Sequence, residues 1–153
     1  MPPSSSHRTL VVANLTAATP LLLDEIERRA GERSTEFVLL IPNVTSRKAA
    51  DWTLNEALVA IRRAARGLTG YRAAEVRGLL GGPDPFDSIK QVLAGEHFDD
   101  VIISTLPKRR SEFLRRDLPH RVEELGIPVM VITQPAEKRI GLEEIGFGGG
   151  GPG

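Results

Sequence analysis

The sequence predicts an α/β fold, a three-layer sandwich in which a five-stranded parallel sheet of order 3-2-1-4-5 lies between two helical layers. Two observations predict it. Apolar runs of strand length recur along the chain and are continuous rather than alternating, as strands covered on both faces require. Helix-period segments separate consecutive runs, so the order is βαβαβαβαβ, and right-handed crossovers then make the strands parallel.

The first strand is expected at Thr9–Ala13 (TLVVA). Thr19 followed by Pro20 is a cap-and-first-turn signal, Leu22, Leu23, Ile26 and Ala30 share one helical face, and Gly31 is expected to end that helix. A second strand is expected at Glu36–Ile41 (EFVLLI). The second helix runs from about Ala50 to Arg66, with Leu54, Leu58, Ile61 and Ala65 on one face. The third strand, about Ala74–Leu80 (AEVRGLL), is the weakest: Val76 and Leu79 support it and Gly78 argues against it. A helix after Pro85 carries Phe86, Ile89 and Leu93 as far as Gly95, with Asp84 and Asp87 as carboxylates at its N-terminal end. The fourth strand is expected at Asp100–Ser104 (DVIIS). A helix over roughly Leu118–Leu125, with Asp117 as N-cap, leads to the last strand at Pro128–Thr133 (PVMVIT).

Composition narrows the function classes. The 153 residues carry twenty Lys and Arg against twenty Asp and Glu, so nucleic-acid wrapping is not expected. The absence of cysteine excludes disulfides, thiol nucleophiles and thiolate metal sites. His7, His97 and His120 are too dispersed along the predicted topology to converge on a metal. No apolar run is long enough to span a membrane, and the opening MPPSSSHR lacks the apolar core of a secretory signal, so a cytoplasmic protein is expected. Residues 1–8 are expected to be a flexible tail, 9–134 the folded domain, and 135–153 an extension ending in GFGGGGPG.

In a 3-2-1-4-5 sheet the connections after strands one and four leave in opposite directions, and a crevice opens above their C-terminal ends. The bordering loops place Asn14, Thr16 and Thr19 on one side and Ser104, Thr105, Lys108, Arg109 and Arg110 on the other. Lys108 to Arg121 holds six Lys or Arg against Glu112 and Asp117, a local excess of four positive charges in a neutral chain. Hydroxyls, cations and a helix N-terminus together point to an anionic small molecule. Catalytic residues are not expected. Ser104 and Thr105 have no histidine placed to deprotonate them, and the dinucleotide and P-loop fingerprints are missing.

Three stretches make the sequence resemble the universal stress protein family: TLVVANLTAATPLLLDEI at Thr9–Ile26, EFVLLIPN at Glu36–Asn43, and FDDVIISTLPKRRSEFLRRDLPHRVEELGIPVMVIT at Phe98–Thr133. The resemblance implies the fold above and a stress-response or regulatory module. ATP-binding members carry a signature of glycine, two residues, glycine, nine residues, glycine, then serine or threonine. Here those positions fall on Ser104, Pro107, Asp117 and Leu118, and the family's aspartate after the first strand corresponds to Asn14. Pro107 has no N–H to offer a phosphate and Asp117 adds a carboxylate, so weak or absent ATP binding is expected, and no cofactor. A nucleotide-binding or nucleotide-hydrolysing enzyme using the same crevice, and a structural dimerisation module, remain alternatives. The resemblance also implies a homodimer formed through the last strand, whose apolar edge invites pairing; the alternative is cover from Gln134 to Phe147 of the same chain.

Overall fold

A computed structural model describes residues 7–13, 19–42, 47–66, 76–105 and 117–133. The sheet comprises β1 (His7–Val12), β2 (Thr35–Ile41), β3 (Val76–Leu80), β4 (Asp100–Thr105) and β5 (Val129–Thr133). The helices are α1 (Pro20–Glu32), α2 (Arg47–Arg66), α3 (Pro85–Gly95) and α4 (Leu118–Glu123). All strand pairs are parallel and their order is β3-β2-β1-β4-β5, as expected. Val11 at the centre is level with Leu39 of β2 and Ile102 of β4.

Strand alternation divides the core in two. Val11, Phe37, Leu39, Ile41 and Ile102 face Leu22, Ile26 and Ala30 of α1 and Ala57, Leu58, Ile61 and Ala65 of α2. Leu10, Val12, Val38, Leu40, Val101 and Ile103 face Ile89 of α3 and Leu118 and Val122 of α4. Continuous apolar runs thus serve two layers, with alternate residues assigned to opposite sides. Burying one such aliphatic side chain contributes about 1.5–3 kcal/mol.

Gly78, which argued against the third strand, is what lets it pack. A Cβ there would lie 2.7 Å from Leu54 Cδ1 and 3.1 Å from Leu58 Cδ1. α2 therefore presses its leucines directly onto the backbone of β3. Arg62 of the same helix donates from Nη2 to the Val76 carbonyl at 3.0 Å, satisfying an acceptor at the start of the strand.

Several boundaries depart from expectation. β1 starts at His7, so His7 and Arg8 belong to the sheet and not to a tail. His7 Nε2 lies 3.3 Å from Asp100 Oδ1, and Arg8 donates from Nε to Glu36 Oε1 at 2.7 Å. α1 passes through Gly31 to Glu32, and α2 starts at Arg47. Asp84 does cap α3, accepting from the Asp87 N–H at 3.3 Å. Asp117 precedes α4 but makes no side-chain capping bond.

The N-terminal edge of the sheet is closed by a polar network. Asp100 accepts from Thr9 Oγ1 at 2.7 Å and from Arg29 Nη1 at 2.6 Å, while Arg29 Nε donates to Glu25 Oε2 at 2.7 Å. Burial opposes the charge on Arg29, but the Glu25 and Asp100 carboxylates outweigh it and hold the guanidinium above its usual range. Asp99 accepts from the Arg8 backbone N–H at 2.8 Å, and this bond, helped by His97, holds its carboxyl below the usual range. Glu96 receives both Arg77 and Arg8. With the Arg8–Glu36 pair, the network joins α1, four strands and the end of α3.

Candidate functional site

The carboxyl edge of the sheet is built differently. β1 and β4 are neighbours, with Val12 level with Ile103, and the chain leaves β1 toward α1 on one face and β4 toward α4 on the other. That divergence is the strand-order reversal at which α/β sheets bind ligands. Thr19, Ser104 and Thr105 of the expected site are described here. Asn14, Thr16, Lys108, Arg109 and Arg110 lie outside the described residues, as do Arg115 and Arg116.

Thr19 is the N-cap of α1, in extended conformation, and Pro20 follows in the first turn, where its missing N–H costs no hydrogen bond. The Thr19 carbonyl accepts from the Leu23 N–H at 3.0 Å. Its hydroxyl does not cap the helix: Oγ1 is shielded from solvent and has no hydrogen-bond partner. Among the described residues it is the buried side-chain polar atom left unsatisfied. A hydroxyl in that state costs about 1–3 kcal/mol. The 13-residue α1 also directs the positive end of its dipole toward this edge.

Ser104 and Thr105 do not share a face. Alternation puts Ser104 with Ile102 on the α1 side and Thr105 with Ile103 on the α3–α4 side. Both are buried, and the Thr105 hydroxyl is 3.2 Å from that of Thr133 on β5. Thr19 and Ser104 therefore belong to the same layer, whereas Thr105 ties β4 to the edge strand. Of the six cations between Lys108 and Arg121, the described one is Arg121. Its guanidinium carbon lies 4.2 Å from the centre of the Phe86 ring, so it pins α4 to α3.

Asp117 supplies a feature that sequence reasoning missed. Its backbone is left-handed, φ 53° and ψ 39°, and it is the non-glycine residue with positive φ among those described. Its carboxylate side chain is exposed, and the backbone conformation is one that glycine adopts without steric cost. An N-cap was legible at Asp117; its left-handed conformation was not, because an N-cap aspartate ordinarily takes the extended form.

Two cavities lie away from the junction of β1 and β4, the first of them reaching the carboxyl end of β3. One of about 360 Å³ runs between β3 and α3 over Leu40 and Leu79, with Gly81, Gly82 and Ser88 at one end. The other, about 500 Å³, lies between the end of α3 and the approach to β5, beside Phe98, Leu125 and Ile127. Neither combines hydroxyls with a helix N-terminus at the strand-order reversal, so neither displaces the crevice as the candidate site. No group of three or more His, Asp or Glu suited to a metal occurs among the described residues. Nor is any helix there long and apolar enough to cross a membrane.

No family model matches the chain, and no curated protein matches it by sequence. Solved structures do match it. It is similar to the universal stress protein from Archaeoglobus fulgidus at a TM-score of 0.52 and 18% identity, over 83% of this chain and 94% of that one. It is also similar to a universal stress protein solved in complex with cAMP, at a TM-score of 0.51 and 13% identity, over 87% of this chain and 100% of that one. The chain has the fold of those universal stress proteins.

The left-handed backbone at Asp117 is open to a direct test. Asp117→Gly is expected to raise stability by about 0.5–1 kcal/mol, and Asp117→Val to lower it by about 1–2 kcal/mol, because a β-branched residue is strained at positive φ. Urea denaturation midpoints measure both, and the two changes should have opposite signs.

Proposed function

We propose that this chain is a non-catalytic regulatory module of the universal stress protein kind, whose crevice takes a small anionic ligand and does not hold ATP tightly. The observation that carries the reading is the buried, unpartnered Thr19 hydroxyl at the N-terminus of α1. It is a donor kept dry beside a helix dipole, at the strand-order reversal, and an anion's oxygen satisfies both. Asn14 and Thr16 on the same loop, Ser104 on the same face, and Lys108, Arg109 and Arg110 after β4 are the proposed further contacts.

The argument against tight ATP binding is electrostatic and steric. Ser104, Pro107, Asp117 and Leu118 stand where the ATP-binding signature has glycines and a hydroxyl residue. Asp117 turns a carboxylate toward solvent at the loop's end, and each added phosphate increases the repulsion. That a structure of the same fold was solved with cAMP, which carries one phosphate, fits a site that tolerates a single negative charge better than a triphosphate. Function without turnover is part of the same reading: the sequence places no histidine to deprotonate Ser104 or Thr105.

A second copy of the chain pairing along β5 is the assembly we favour. Among the described residues β5 has β4 on one side only, which leaves the backbone groups of its other edge for a second strand.

Calorimetric titration with ATP, ADP, AMP and cAMP at physiological salt tests the ligand reading. AMP or cAMP should bind more tightly than ATP, with ATP at a Kd on the order of 1 mM or weaker, about −4 kcal/mol. No ATP turnover should exceed a protein-free control. Micromolar ATP affinity, or turnover, would overturn the reading. Monophosphate binding that survived the triple substitution Lys108→Ala, Arg109→Ala and Arg110→Ala unchanged would remove the cations from the site. For the assembly, light scattering at micromolar protein should return the mass of two chains; a monomer mass would reject the β5 pairing.

A further inference from the structure

The chain has no cysteine and two methionines, Met1 and Met130. Met130 is the second residue of β5 and is 38% exposed, although a methionine in a sheet is ordinarily core filling. Alternation puts it on the α1 side of the sheet, and its Sδ is 3.7 Å from Arg29 Nη2. The rest of that guanidinium is committed: Nε to Glu25, Nη1 to Asp100 and, at 3.3 Å, to Thr9 Oγ1. With its side chain only 13% exposed, Arg29 is a fixed cation whose free donor edge is aimed at one side of a thioether. A thioether sulfur is a weak acceptor and a poor use of such a donor. A sulfoxide oxygen is a strong acceptor, and it would stand where that donor points.

We propose that Met130 is a reversible oxidation site, in which hydroperoxide transfers oxygen to Sδ and Arg29 receives the new sulfoxide oxygen. A sulfur lone pair attacks one peroxide oxygen, the S–O bond forms and the O–O bond breaks. The departing hydroxide takes up the proton of the transferred oxygen and leaves as water. The sulfur is oxidised by two electrons and the peroxide reduced by two. Arg29 gives up no proton. It donates a hydrogen bond to the oxygen as negative charge develops there. Because sulfoxide sulfur is chiral and Arg29 stands on one side of it, attack through the lone pair facing the guanidinium favours one epimer. The site does not depend on the ligand crevice, which lies at the opposite edge of the sheet. Edge-to-edge pairing of β5 uses backbone groups and leaves the α1 face, where Met130 stands, open to solvent.

The test treats the intact protein with hydrogen peroxide in the presence of N-acetylmethionine amide as competitor, then digests it and quantifies the Met130 peptide by mass spectrometry. The peptide is divided between the two methionine sulfoxide reductases, each of which reduces one epimer. Met130 should be oxidised at a rate within about tenfold of the competitor, and one reductase should clear at least about three times as much sulfoxide as the other. Arg29→Lys, which keeps the charge and loses the fork, should move the ratio toward one. Equal clearance in the parent protein would overturn the role of Arg29 without recourse to any variant. Met130 left unoxidised after the competitor is consumed would overturn the site itself.

Discussion

β1 lies between β2 and β4 and beneath helices on both faces, so Leu10, Val11 and Val12 have no contact with solvent. A strand enclosed on four sides must have every backbone polar group bonded within the sheet, and that requirement fixes its neighbours. It also fixes the exits. α1 and α2 cover one face and α3 and α4 the other, so the connections after β1 and β4 part company above the sheet. That divergence is where parallel α/β sheets bind ligands, and it is why the proposed crevice is placed above β1 and β4.

The two edges of the sheet then solve their polar problem in opposite ways. At the N-terminal edge, Arg29, Asp100, Thr9 and Glu25 satisfy one another across α1, β1 and β4. Charges this far from water are costly alone, and removing one member would leave its partners uncompensated. The arrangement therefore satisfies its charges internally. At the carboxyl edge, Thr19 is shielded without a partner and Asp117 holds a conformation that most residues avoid. Unsatisfied donors and backbone strain are costs that a fold without a binding task has no reason to keep. Their presence at the carboxyl edge is why we propose function there and not in either cavity beside α3.

Much of this was legible in the residues. Apolar runs flanked by helical periods mark four of the five strands, because burial on both faces leaves a continuous signature; β3, at the sheet edge, left a weaker one. Gly78 was read as a breaker because local propensity cannot see α2; the structure shows Leu54 and Leu58 against the β3 backbone, so a larger residue there would have to displace their side-chain ends. His7 and Arg8 read as tail because polar residues mark a strand only when their partners are known, and Asp100 and Glu36 are distant in sequence. The division of Ser104 from Thr105 was available from period-two alternation alone. The partnerless state of Thr19 was not, since it depends on what fails to approach.

The central claim is that ligand chemistry belongs to the carboxyl edge between β1 and β4. An amide-resolved NMR titration with AMP at millimolar concentration tests it most directly. The account predicts shifts at Thr19, Leu21 and Leu22 at the start of α1, at Thr105, and at Asp117 and Leu118 before and within α4, while His7, Glu36 and Asp99 at the far edge stay in place. Shifts confined to that far edge or to the residues lining the cavity between β3 and α3, with Thr19 and Asp117 unmoved, would contradict it.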